Sequence, residues 1–254
     1  MNYISTYYSI KGNVRSVNQD SLLIMQAETS LGNILLASVC DGMGGHSCGE
    51  KASSLAVHAL ENWFIHDFPV LLPKRITKEK LWQSLTSLTR RLSYQMTAEY
   101  ENIILGTTCT MIILIGDHYY YMNIGDSRIY LIGRKMWQIT HDQTLVQQKI
   151  DRHEITWEES FEDPDQGILL QAIGSNQKPV PEFGYGSYAK DDYFLLTSDG
   201  FYHHLTANEI FNEITSCNLN TKEKMNDLLQ SLTSRAEERN ETDNITSILV
   251  KAYE

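Results

Sequence analysis

The sequence predicts an α+β fold in which antiparallel β-strands pack against amphipathic α-helices. Six segments are rich in β-branched and aromatic residues, as a packed pleated surface requires: residues 33–40, 108–115, 118–124, 128–132, 192–197 and 245–252. Other segments carry a helical period. The order runs strands, two helices, strands, a mixed stretch, a strand, two helices and a final strand. That is not the strict alternation of a parallel doubly wound sheet, and it suits antiparallel sheets covered by helices.

Each element has a local cause. Gly116-Asp117 lies between two strand segments and reads as a tight hairpin turn, with glycine where φ must be positive. Residues 49–68 read as a helix with Leu55, Ala59 and Leu60 on one side. Leu81, Leu85, Leu88 and Leu92 form an apolar stripe at spacings of four, three and four. Thr206 followed by Glu209 fits a capping box that opens a helix carrying Ile210 and Phe211. Met225, Leu228, Leu229 and Leu232 form another stripe. These stripes face a core and carry no chemistry. Residues 145–188 have weak periodicity and several Gly and Pro residues, which predicts a mobile cover over a site. No linker or repeat divides the 254 residues, so a single domain spanning 1–254 is expected.

Composition narrows the function. Hydrophobic residues make up 42% and charged residues 21%, an ordinary globular balance. The formal charge is −11, with no local run of Lys or Arg to grip a phosphate backbone, so a nucleic-acid partner is not expected. No apolar run approaches the ~20 residues that span a bilayer, and no membrane association is expected. Cys40, Cys48, Cys109 and Cys217 show no C-x-x-C pair, and none begins a C-x₅-R loop. A reduced, cytoplasmic setting follows, and a cysteine-nucleophile phosphatase does not.

One pattern recurs: an apolar strand that ends in an aspartate beside a small residue. It appears at Asp41-Gly42, at Asp199-Gly200 and more loosely at Gly125-Asp126, while Asp243-Asn244 opens the last strand. A single such aspartate reads as a turn residue capping its own backbone. Several together would repel and raise one another's pKa, a cost that a bound cation removes. Oxygen-only ligands favour hard ions, Mg²⁺ or Mn²⁺. The glycines of Asp41-Gly42-Met43-Gly44-Gly45-His46 allow close backbone approach to an ion or anion, but no nucleotide-cradling glycine motif is present.

Seven short motifs, in order, resemble the protein phosphatase 2C family, the metal-dependent serine/threonine phosphatases, and its bacterial branch in particular. They are Arg15-Ser16-Val17-Asn18-Gln19-Asp20, residues 41–50, Gly106-Thr107-Thr108, Gly125-Asp126-Ser127-Arg128, Ala172-Ile173-Gly174, Ser198-Asp199-Gly200 and Asp243-Asn244-Ile245-Thr246. The resemblance implies two stacked antiparallel β-sheets flanked by α-helices, an αββα sandwich with the metal site at one end. It implies hydrolysis of phosphoserine and phosphothreonine monoesters by a water bridged between two divalent cations, Mn²⁺ or Mg²⁺. By the same implication, Asp41 bridges the ions and the carbonyl of Gly42 completes one of them. Asp199 and Asp243 hold the other, and Arg15 grips the substrate phosphate. Asp20 is an acid near the metals, and Asp126 belongs to a third, weaker ion. Phosphorylated proteins are the implied substrates and a cognate Ser/Thr kinase an implied partner.

The chain departs from the family pattern at three places. Met43 stands where animal members have a histidine, Gln19 where many have glutamate, and His203 where bacterial members often have a third-metal aspartate. His46 reads as a structural or solvent-facing histidine. These departures leave room for a pseudophosphatase that binds phosphoproteins without turnover. The acidic balance counts against a third class, a two-metal hydrolase of nucleotides.

Overall fold

The computed structural model describes residues 1–44, 48–72, 77–99, 105–175 and 178–253. The described strands are β1 (Asn2–Ile10), β2 (Asp20–Thr29), β3 (Gly32–Gly44), β4 (Leu105–Thr107), β5 (Cys109–Ile115), β6 (His118–Ile124), β7 (Arg128–Ile132), β8 (Met136–Gln138), β9 (Glu182–Ser187), β10 (Tyr193–Thr197) and β11 (Ile245–Tyr253). They form two antiparallel sheets, one in the order β1-β11-β10-β7-β8, the other β2-β3-β5-β6-β9 with β4 alongside β3. The helices are α1 (Cys48–Asn62), α2 (Phe68–Leu71), α3 (Lys78–Glu99), α4 (Leu145–Asp151), α5 (Asp199–Tyr202), α6 (Ala207–Ser216) and α7 (Lys222–Glu238). The α+β sandwich expected from the sequence is the fold observed.

Period-two alternation explains the layers. In β3, Leu35, Ala37 and Val39 point into the space between the sheets, where they meet Phe194, Leu196, Ile248 and Val250. The intervening Ile34, Leu36 and Cys40 point outward against Leu60, Trp63, Leu81 and Leu85 of the first helical layer. On the other sheet, Leu195 and Leu249 meet Ile210, Leu229 and Leu232. The central strands are therefore buried on both faces, which is why they read as continuous apolar runs. Phe194 is fully buried, and removing its ring would cost about 3–5 kcal/mol.

Local signals hold. Gly116 has φ 62° in the β5–β6 turn. The Thr206 hydroxyl accepts from the Glu209 N–H at 3.2 Å, and the Glu209 carboxylate accepts from the Thr206 N–H at 2.9 Å, completing the capping box. The helix expected over 49–68 passes from α1 through a π-helical turn, Trp63–Asp67, into α2. Five strands were not expected: β1, β2, β4, β8 and β9. The stretch 145–188 also divides. Residues 182–187 are β9, an edge strand paired with β6, and the remainder contains α4 and a 3₁₀ turn at Glu159–Glu162.

Candidate metal and phosphate site

At one end of the sandwich lies a cavity of about 340 Å³. Its wall includes Arg15, Asp41, Gly42, Asp126, Asp199 and Asp243, six of the seven residues that the sequence marks for the site. The seventh, Asp20, stands directly behind them, because the β2–β3 register pairs Asp20 with Asp41. The strand carrying Asp41 does not turn at the aspartate, as the sequence suggested, but continues to Gly44 and pairs with β4.

That continuation fixes the Asp41 backbone on both sides. Its N–H donates to the Thr108 hydroxyl at 2.8 Å, and its carbonyl accepts from the Thr108 N–H at 2.8 Å and the Thr107 hydroxyl at 2.9 Å. Gly42 donates its N–H to the Gln19 carbonyl at 3.1 Å. A Cβ on Gly42 would run into the Gly49 carbonyl at the start of α1, so any side chain there would force helix and strand apart.

Asp199 comes from the crossover between β10 and α5, where Gly200 donates its N–H to Asp199 Oδ1 at 2.7 Å. The preceding Ser198 donates to Asp20 Oδ2 at 2.8 Å and accepts from the Thr246 N–H at 3.0 Å, tying Asp20 to both central strands of the other sheet. Asp243 precedes β11. Its Oδ1 accepts from the Asn244 N–H at 2.7 Å, and its Oδ2 accepts from Arg15 Nη2 at 2.6 Å.

Asn244 and Glu241 organise this loop. The Asn244 amide donates to the carbonyls of Lys11 and Val17 at 2.9 and 3.0 Å, and its oxygen accepts from the Gln19 N–H at 2.8 Å. One buried side chain thus pins the loop that carries Arg15 to the loop that carries Asp243. Glu241 Oε1 accepts from the N–H groups of Thr242 and Asp243 at 2.7 and 2.8 Å. Asp126 is held from the far side: Tyr202 donates its hydroxyl to the Asp126 carbonyl at 3.0 Å, and the Arg128 guanidinium lies 3.5 Å over the Tyr202 ring. Arg128 is itself locked to Asp142, with Nη2 to Oδ2 at 2.6 Å. Glu241 and Asp142 were not singled out from the sequence, and Asn244 was quoted only as part of a motif. The local signal for Glu241 is an acid two residues ahead of a turn aspartate.

The electrostatics match a site that lacks counter-charge. Burial, then the charges of Asp199 and Asp243, push Asp20 up to about 7 against the hydrogen bonds from Thr246 and Ser198. Burial and Asp199 push Asp126 up to about 7 as well. Withdrawal from water, then Asp20, Asp199, Asp126 and Asp243, raise Asp41 well above the ordinary carboxylate range. Asp199 is also raised, chiefly by desolvation, although a hydrogen bond with Asp41 works the other way.

His203 lies beside this group, 3.7 Å from Asp199 Oδ2 and 3.5 Å from Glu241 Oε2. Burial pulls its pKa down, but the hydrogen bond to Glu241 and the charges of Asp199, Glu241 and Asp126 prevail and raise it. Met43 and Gln19 both line the cavity. His46 lies outside the described residues.

The residues present fit a hard divalent ion. The donor set is carboxylate and carbonyl oxygen, and Asp20 Oδ1 is buried without a hydrogen-bond partner. Among the described residues no three His, Cys, Asp or Glu side chains already stand as a metal cage. A protein partner stands at the site instead: Arg15 holds Asp243. An ion entering here would displace that contact.

Comparison with known proteins agrees with this geometry. The family described as Protein phosphatase 2C matches residues 13–249. The protein phosphatase PhpP of Streptococcus pneumoniae is 30% identical over 259 residues, spanning 96% of this chain and 95% of its own. The serine/threonine phosphatase stp of Listeria monocytogenes is 27% identical over 242 residues, spanning 95% and 92%. Among solved structures, the serine/threonine phosphatase Stp1 from Staphylococcus aureus superposes with a TM-score of 0.86 at 27% identity, covering 100% of this chain and 96% of that one. The catalytic domain of the serine/threonine protein phosphatase PstP, in complex with two manganese ions, superposes at 0.78 with 26% identity over 99% of both chains. Similarity of this extent, over a fold built the same way, shows that the chain belongs to the protein phosphatase 2C family: it is a serine/threonine protein phosphatase dependent on divalent metal.

Proposed function

We propose that Asp41, the Gly42 carbonyl, Asp199 and Asp243 hold two divalent cations, Mn²⁺ or Mg²⁺, with Asp20 behind them, and that Arg15 binds the substrate phosphate. The observation that carries this reading is the set of carboxylates facing one cavity without a matching cluster of cations. Such a set is costly in the metal-free chain and favourable around divalent charge. Divalent ions there supply an activated water nucleophile near neutral pH and offset charge on the phosphoryl oxygens.

The protein's own groups do the rest. Arg15 is half exposed at the cavity wall and paired to Asp243. Exchanging that single-contact carboxylate for a phosphate dianion would give the guanidinium a two-point, charge-assisted pair. Asn244 sets the distance between Arg15 and Asp243 by holding their two loops together. The part of 145–181 that includes Gly167 and Leu169 covers one side of the cavity and limits access of water. Asp126 offers a place for a third ion, held weakly because His203 supplies a nitrogen and, when protonated, a positive charge where an acid would strengthen the site. Residues 1–254 act as one phosphatase domain in the cytoplasm, opposed to a cognate Ser/Thr kinase. No helix among the described residues is long and apolar enough to cross a membrane.

Phosphate release from a phosphothreonine peptide, measured with Mn²⁺, with Mg²⁺ and with EDTA, tests the reading. Release with either ion and none with EDTA is expected. Equal release in EDTA would remove the metal assignment.

A further inference from the structure

Two histidines and a buried carboxylate meet where α5 ends against the loop that leads into β11. Glu241 belongs to that loop and is 5% exposed. Its Oε1 is used twice, accepting from the Thr242 and Asp243 N–H groups. Its Oε2 is buried and, among the described residues, has no well-formed hydrogen bond. It faces two imidazole nitrogens at longer range: His203 Nδ1 at 3.5 Å and His204 Nε2 at 3.8 Å. A carboxylate oxygen left buried in this way is costly, and the groups around it point to a cation.

The spacing suits a shared metal better than a pair of hydrogen bonds. Ligand atoms at about 2.0–2.2 Å from a tetrahedral zinc stand roughly 3.3–3.5 Å from one another. The three donors do not yet converge on one point, but closing by a few tenths of an ångström would bring them there. Both rings reach the surface, so they can turn without disturbing the core, and a fourth position stays open to water. The backbone is already set. Arg239 donates to the His204 carbonyl at 2.7 Å, and the Glu241 N–H donates to the Ala236 carbonyl at 3.1 Å, so the end of α7 pins both segments.

The groups behind the donors match as well. The two N–H groups on Oε1 hold the plane of the Glu241 carboxylate, and His203 turns its other nitrogen, Nε2, toward Asp199 Oδ2 at 3.7 Å. Metal-bound carboxylates and imidazoles are held from behind in this manner. Two imidazoles and one carboxylate suit a zinc-class ion, unlike the all-oxygen set around the cavity.

We propose that His203 Nδ1, His204 Nε2 and Glu241 Oε2 bind a zinc-class ion at a site separate from the hard cations of the cavity, on the other edge of the His203 ring. The ion ties α5, which begins at Asp199, to the loop that carries Asp243.

The test measures zinc bound per chain by equilibrium dialysis in excess Mg²⁺, on the wild type and on His204→Gln. The wild type should hold one more zinc than the variant, whose affinity at this site should fall about a hundredfold or more. Co²⁺ in place of zinc should give the intense visible absorption of a four-coordinate site in the wild type and lose it in His204→Gln. Glu241→Gln keeps an acceptor for the Thr242 and Asp243 N–H groups and should lose the same ion. Hydrolysis of p-nitrophenyl phosphate with Mn²⁺ should stay within twofold in His204→Gln, which certifies the fold and reads the cavity independently. Equal zinc content and an equal Co²⁺ spectrum in the wild type and His204→Gln would overturn the site. Zinc binding that is lost in Asp41→Asn but kept in His204→Gln would assign the ion to the cavity and overturn it equally.

Discussion

Acidic side chains in this protein live in two opposite environments. At the end of the sandwich, Asp20, Asp41, Asp126 and Asp199 are held near one another and away from bulk water, and all are pushed upward, two of them to about 7. On the outer surface, Glu209 is lowered to about 2 by Arg239 and by the Thr206 cap, and Asp163 is lowered by Lys149. The residue types are alike, and what differs is the counter-charge. Around Glu209 and Asp163 the chain provides its own cation. Around the cavity it leaves most of the positive charge to come from outside, and that is the physical mark of a cation site.

Substitutions in the two environments should therefore have opposite profiles. The largest effect is expected for Asp199→Asn. Turnover of a phosphothreonine peptide should fall by on the order of a thousandfold, while the Tm of the EDTA-treated protein stays level or rises because a repulsive charge is gone. A variant with near-normal activity would separate Asp199 from the metals. Arg15→Ala is next. KM for phosphopeptide should rise roughly tenfold or more with kcat changed far less, the outcome expected of a guanidinium that grips phosphate in the ground state. A loss confined to kcat would contradict that role.

Asn244→Ala should act on stability. It strips the partners from the Gln19 N–H and the Lys11 and Val17 carbonyls. The expected cost is about 3 kcal/mol, which lowers Tm by on the order of 10 °C for a chain of this length. A thermal melt within a degree or two of wild type would show that the Arg15 loop is held by something else. Glu209→Gln gives the smallest effect, about 1 kcal/mol or less, because the Arg239 pair lies at the surface. Its pH dependence carries the information. The folded-state pKa is depressed, so the carboxylate's contribution is present above its unfolded value near 4.5 and is lost as pH falls toward about 2. Acid unfolding of the variant should lack that part of the slope. An identical slope would mean that the capping box contributes no linkage.

The sequence and the structure agree where burial writes a pattern into the residues. Residues 33–40, 108–115, 192–197 and 245–252 read as strands because both faces of β3, β5, β10 and β11 are covered. β1 was not legible: at the sheet edge only Tyr3 and Ser5 are buried, so Asn2–Ile10 mixes polar and aromatic residues without a continuous apolar run. β9 was hidden for a similar reason, with two glycines packed against the rings of Tyr121 and Tyr119 in place of apolar side chains. The site's carboxylates were legible as recurring aspartates at strand ends. The pairing of Asp20 with Asp41, the clamp made by Asn244 and the Arg128–Asp142 lock were not, because each depends on which distant loops meet.

Calorimetric titration of Mn²⁺ into EDTA-stripped protein, run in parallel on Asp41→Asn, tests the central claim most directly. Two ions per chain are expected for the wild type, with protons released on binding as the raised carboxyls ionise, and a loss of stoichiometry or affinity in the variant. A wild type that binds no Mn²⁺, or a variant that binds it equally well, would contradict the claim that these carboxylates are clustered for metal.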